Sequence, residues 1–172
     1  MIANRFVPIE TTPAGIKARD QETAQTVLLV DVRHLDPSVV GVFHPALVAV
    51  FAIVDYAGRT LAATEFVQGR SLKELFGGEP CHPRRAAEIV SELADGVAEL
   101  HARGIVHGNI TQTSAVLTAK GKARLSLTSA IGGDEILDVN ALILVLKTIG
   151  GQPNEDVARA DSAAVLAALL RA

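Results

Sequence analysis

LHARGIVHGNITQTS, residues 100–114, joins the last turn of a helix to a polar loop rich in hydroxyl and amide side chains. Upstream of it, Ala86, Val90, Leu93, Val97 and Leu100 recur at three- and four-residue spacing. That single apolar stripe predicts an amphipathic helix over residues 83–103, with Gly104 as its stop. Downstream, residues 114–118 and 123–127 read as two short strands, with Lys120 and Gly121 in the turn between them. Residues 136–149 are apolar on nearly every side, which predicts a buried central helix ended by Gly150, Gly151 and Pro153. Asp161 is the expected cap of a last short helix over residues 162–171.

The first seventy residues have a different texture. Residues 1–20 are weakly patterned, and residues 20–23 form a polar turn. VLLVDVR (27–33) and LVAVFAIVD (47–55) are β-prone runs. Residues 55–58 supply a hairpin turn, with a partner strand over 60–67. Ser71 then caps a short helix that reaches Phe76, and Gly77, Gly78 and Pro80 break it. The order predicts an α+β protein: a small antiparallel sheet first, a mainly helical part second, and a hairpin set between two long helices.

The totals narrow the function classes. The chain has 172 residues, 49% of them hydrophobic, so it can bury a real core. Aromatics are only 3% and Trp is absent, which leaves Ala, Val, Leu and Ile to build that core. A net charge of -3 without a Lys/Arg cluster excludes a nucleic-acid footprint. The uncharged stretch 37–54 is interrupted by Pro37, His44 and Pro45, so it reads as a turn and a strand and not as a membrane insertion. The N-terminus lacks the layout of a signal peptide. Cys81 has no second cysteine to pair with, which fits a reducing cytoplasm.

In this order the local sequence resembles the protein kinase superfamily, in its bacterial serine/threonine form and shortened. Residues 100–107 resemble the end of the family's long C-lobe helix and its run into the catalytic loop. EFVQGRSL (65–72) resembles the hinge, HPALV (44–48) the segment before the fourth strand, and IKARD (16–20) the second strand. DVNALILVL (138–146) resembles the buried helix whose first Asp braces the catalytic loop. The resemblance implies a minimal bilobal fold in one domain over residues 1–172. Its β N-lobe would span 1–67 and its helical C-lobe 68–172.

The family's phosphotransfer machinery is a Gly-rich loop, a third-strand Lys, a catalytic Asp and two metal ligands. IETTPA (9–14) has no glycine where that loop should be. Val30 falls at the Lys position, Asn109 at the catalytic Asp and Thr111 at the loop Lys. Ser114 falls at the metal-binding Asn, and Thr128 at the second metal-binding Asp. Residues 33–43 leave little room for a regulatory helix, and residues 129–137 are a shortened activation segment. Leu28 takes the place of the small Ala above the adenine ring, and Gly15 that of the strand residue against it. With Val116 closing from below, the resemblance implies an occluded pocket, no cofactor and no metal. His107 and Asp138 are implied as structural residues of the loop.

Other chemistry-bearing residues have plainer structural readings. Cys81 and His82 suggest a thiol nucleophile or metal pair, but Pro80 and Pro83 mark a loop. His101 and His107 lack a third zinc ligand in register. Asp134 and Glu135 could replace a metal ligand, or simply complement a helix dipole. The expectation is therefore a pseudokinase that is not an enzyme, serving as a scaffold or regulatory module. Its partner would be another protein or a second copy of itself. The alternative is a nucleotide-binding or weakly active phosphotransferase, because His107-Gly108-Asn109 is one carboxylate short of the His-Gly-Asp of small-molecule kinases.

Overall fold

The computed structural model describes residues 1–172. It opens with five strands, β1 (Phe6–Thr12), β2 (Gly15–Asp20), β3 (Thr26–Val32), β4 (Val50–Tyr56) and β5 (Arg59–Glu65). They form one antiparallel sheet in the order β1-β2-β3-β5-β4. A second sheet, β6-β7-β8, joins β6 (Gly69–Ser71) to the hairpin of β7 (Ala115–Thr118) and β8 (Ala123–Leu125). The helices are α1 (Leu72–Phe76), α2 (Pro83–Ala102), α3 (Glu135–Ile149), α4 (Glu155–Ala158) and α5 (Ala163–Arg171). This is the α+β architecture expected, with a kinase-like antiparallel N-terminal sheet.

Strand alternation sorts the sheet's two faces. Val27, Leu29, Leu61 and Ala63 turn outward to meet Phe6, Ala18 and Ile2 in a small cluster of seven buried residues. On the opposite face Ala62, Val32 and Val50 join the core of the helical part, a continuous cluster of 31 buried residues. Val30 and Ile53 pack against that larger core. The core is thus shared by both parts of the chain. The stripe of α2 supplies Ala86, Val90, Leu93, Val97 and Leu100, all fully buried, and packs against α3 and α5.

Several expectations are corrected. The weakly patterned N-terminus holds β1, whose outward Val7 and Ile9 hide the alternation and whose register shifts between Pro8 and Glu10. Strand β4 begins at Val50 and not at Leu47. Residues Leu47 and Val48 instead cross to β8, where Val48 N–H donates to the Leu125 carbonyl. The cap of α5 is Ser162, whose hydroxyl accepts from Val165 N–H, and not Asp161. The helix α3 is buried on one side only: Leu137 is 54% and Leu144 63% exposed. Residue Asp20 is no surface turn residue. Its buried carboxylate accepts two bonds from Arg5, which holds it well below the usual carboxylate range.

Candidate functional site

The end of α2 aims the loop that follows. Gly104, at φ +72°, lets its own N–H reach the His101 carbonyl and Ile105 N–H reach Leu100, a closure that turns the chain sharply. The loop then meets α3. The buried Asp138 carboxylate accepts from His107 N–H at 2.9 Å and Gly108 N–H at 2.8 Å, and from His101 Nε2 at 2.9 Å. One side chain therefore ties together the end of α2, the loop and the start of α3. His101 has no zinc partners; Asp138 holds it.

The His107 ring is completely buried, and both of its nitrogens are engaged. Its Nδ1 accepts from Asn109 N–H at 3.1 Å, so the proton is on Nε2, which donates to the Ser126 carbonyl at 2.8 Å. Burial pushes its pKa down, more than the Ser126 bond and the Asp138 charge raise it. A neutral, doubly bonded imidazole positions backbone and has no free nitrogen for proton transfer.

The positions singled out from the sequence lie around this loop, with Val30 apart on β3. Asn109 Nδ2 donates to the Ser129 carbonyl at 3.2 Å. Ser114 Oγ accepts from Thr111 N–H and donates to the Thr111 carbonyl, closing the loop on itself. Thr128 Oγ1 lies 3.1 Å from Ser126 Oγ. No three His, Cys, Asp or Glu side chains gather as a metal-ligand set.

The segment after Thr128 lies directly on the loop. Ile131 N–H and Gly132 N–H both donate to the His107 carbonyl, at 2.8 and 3.2 Å. Gly108 sits at φ +77°, and a Cβ there would stand 1.8 Å from the Gly132 carbonyl oxygen. Only glycine fits under this strap. Asp134 and Glu135 begin α3, and Asp134 forms no cap bond with its side chain. Glu135 Oε2 is 4.0 Å from His101 Nδ1.

Above the loop, Lys17, Leu28 and Thr64 share a row across three strands. A Cβ on Gly15 would contact Leu28 Cγ at 3.4 Å, and one on Gly69 would stand 2.6 Å from Val116 Cγ1. Lys17 Nζ rests 4.7 Å over the Phe66 ring. A cavity of about 430 Å³ opens beside the strap, lined by His34–Asp36, Val39, Gly104–Val106 and Ala130–Gly133. Cys81 is half-buried, its N–H bonded to the Ile149 carbonyl, and burial pushes its thiol pKa up, away from the reactive thiolate. His82 Nδ1 caps α2 by accepting from Arg84 N–H.

Sequence reasoning missed one cluster. Arg124 on β8 forms a bidentate pair with Glu65 at the end of β5, at 2.7 and 2.9 Å, and donates to the Leu47 carbonyl at 2.7 Å. Its Nε is the one buried side-chain polar atom without a partner. An isolated Arg in a short strand carries no signal of such a distant partner.

No family model matches the chain. Among curated proteins it is 29% identical over 111 residues to the serine/threonine-protein kinase pkn2 of Myxococcus xanthus, covering 61% of this chain and 13% of that protein. It is 23% identical over 104 residues to PrkC of Bacillus subtilis, another serine/threonine-protein kinase, covering 58% and 16%. It is also 26% identical over 133 residues to the CBL-interacting protein kinase 31 of Oryza sativa, covering 73% and 30%. The matched segments thus span less than a third of these relatives' length. The relatives are named kinases, which are enzymes, and this overturns the expectation that the chain is not one. In sheet order and in sequence, over about half of its length, the chain is kinase-like and related to serine/threonine protein kinases.

Proposed function

We propose that this kinase-like domain acts as a protein-interaction or regulatory module. The observation that carries the reading is the strap. Its backbone is bonded to the His107 carbonyl and fills the side-chain space of Gly108, so the loop is covered by its own chain. Half-buried Leu28 next to Gly15 and half-buried Val116 next to Gly69 put aliphatic side chains at the positions matched to the adenine pocket, which supports a module that binds no nucleotide. The single thiol fits a reducing cytoplasm.

A second reading is nucleotide-dependent phosphotransfer, favoured by the kinase names of the relatives. Thermal unfolding with and without ATP and magnesium separates the two. A ligand at a hundred times its dissociation constant adds about 2.7 kcal/mol to the stability of the folded state. For a domain of this size that is a rise of several degrees. The module reading expects a midpoint that millimolar ATP-magnesium leaves in place. A metal-dependent rise, accompanied by phosphate release, would replace it with the second reading.

A further inference from the structure

The sheet order leaves β1 and β4 as the two edges of the N-terminal sheet. Strand β1 is guarded: Pro8 lacks an N–H, and the register shifts between Pro8 and Glu10. Strand β4 has its one register shift between Val50 and Ala52, then runs to Tyr56 without proline or lysine. Its start is covered, because Gly41 N–H donates to the Val50 carbonyl. Its end is the turn of Ala57 and Gly58, at φ +51° and +75°. A two-residue turn with both φ values positive bonds Tyr56 and Arg59 to each other. Alternation then turns the N–H and C=O of Val54 toward β5, and those of Ile53 and Asp55 out of the sheet. Ile53 and Asp55 thus offer strand-pairing groups that no other residue of the chain takes up.

The open window, residues 52–56, is centred on Val54. A two-fold axis at Val54 sets the outward groups of Ile53 against those of the partner's Asp55, so each donates to and accepts from the other. The side chains match in the same register. Ala52, Val54 and Tyr56 share the outer face, where Ala52 and Val54 are half-buried against the cluster of seven. The axis brings Val54 to the partner's Val54, and Tyr56, 39% exposed, over the small side chain of the partner's Ala52. The one charged residue of the window, Asp55, faces the partner's Ile53 and no like charge, and its carboxylate already accepts from the Thr60 hydroxyl. The outer cluster is open along β4, and a second copy continues it across the axis.

We propose that β4 is a homodimer seam, in which two copies pair antiparallel about Val54 and join their five-stranded sheets into one. The inference rests on the interaction-module reading and names its partner as a second copy of the chain. Main-chain bonds between Ile53 and the partner's Asp55 set the antiparallel sense. Tyr56 seated on the partner's Ala52 fixes the register, since a slip by one residue would turn the tyrosine to the other face.

Light scattering on the eluting full chain, from micromolar to near-millimolar concentration, reads the association state. The wild type is expected to reach the dimer mass at the upper end. Asp55→Pro deletes an outward N–H from each copy and should weaken the dimer about tenfold or more. Asp55 is exposed and an edge strand tolerates proline, so the far-ultraviolet dichroism of the monomer should stay unchanged. Cysteine variants in a Cys81→Ser background read the register. Facing Cα atoms in a non-hydrogen-bonded antiparallel pair stand about 4.5 Å apart, within disulfide reach. Mild oxidation should therefore link Val54→Cys into a covalent dimer. Asp55→Cys, offset from its own copy along the seam, should link far more slowly. This cross-linking keeps the test open if Asp55→Pro folds poorly. A wild type that stays monomeric overturns the proposal and leaves the edge to a strand of another protein. A dimer indifferent to Asp55→Pro overturns it too, as do two cysteine variants that link equally fast. A monomer leaves the module reading itself standing, because the nucleotide melting test does not depend on association.

Discussion

His107 carries a pH dependence whose sign follows from its surroundings. Burial holds its folded pKa below the ordinary value of 6.5. Between those two values the unfolded chain binds more protons than the folded one, so stability rises with pH through this window. The contribution is fully present above 6.5 and is lost as pH falls below it toward the folded pKa. Urea unfolding on either side of 6.5 should show the wild type losing stability on the acid side. His107→Gln should be less stable at both but with a flatter pH profile; an unchanged profile would remove His107 as the cause. At this scale the sequence was legible where a residue's neighbours are local or fixed by a recurrent motif. The motif supplied the places of His107 and Asp138, but not His101 as a third member of the same knot. Asp20 was read as solvated because its partner Arg5 stands 15 residues away across a hairpin.

Among elements, the short strap makes the sharpest demand on sequence. Gly108 combines a positive φ with a carbonyl in the space of its missing side chain. Gly108→Ala should cost at least about 2 kcal/mol, since a left-handed alanine alone costs roughly 1–2 kcal/mol and the strap must also move. Amide exchange should then speed up at Ile131 and Gly132, whose N–H groups bond the His107 carbonyl, while the interior of α2 keeps its relative protection. Equal loss everywhere would mean that Gly108 supports the whole fold and not the strap. Element reading from sequence succeeded for α2, where period and burial coincide. It failed for β1, whose outward apolar residues and bulge break the alternation. For α3 it equated an apolar composition with burial on all sides, whereas the chain supplies neighbours for one side only.

For the whole molecule, the 31-residue core runs from Val32, Val50 and Ala62 in the sheet through α2, α3 and α5. Parts that share one core should unfold together. Thermal melting followed by the Tyr56 signal in the N-terminal sheet and by far-ultraviolet dichroism, dominated by the helices, should give coincident curves. An earlier Tyr56 transition would separate the sheet from the helical part. The sequence showed two textures with a change near residue 69 but could not show that they share a core, because the cross-contacts come from pairs far apart in the chain.

The clamp of Arg124 on Glu65 and Leu47 has a consequence for how the chain is made. Its partners are 59 and 77 residues earlier. At roughly 5–20 residues per second of synthesis, Glu65 waits about 3–12 s for Arg124 to be added. During that interval the five-strand sheet can pair its backbone, but the Leu47 carbonyl and the Glu65 carboxylate stay in water. The nascent sheet is thus left with its inner face unlatched until the β7–β8 hairpin leaves the ribosome, and this interval is when a chaperone would find it.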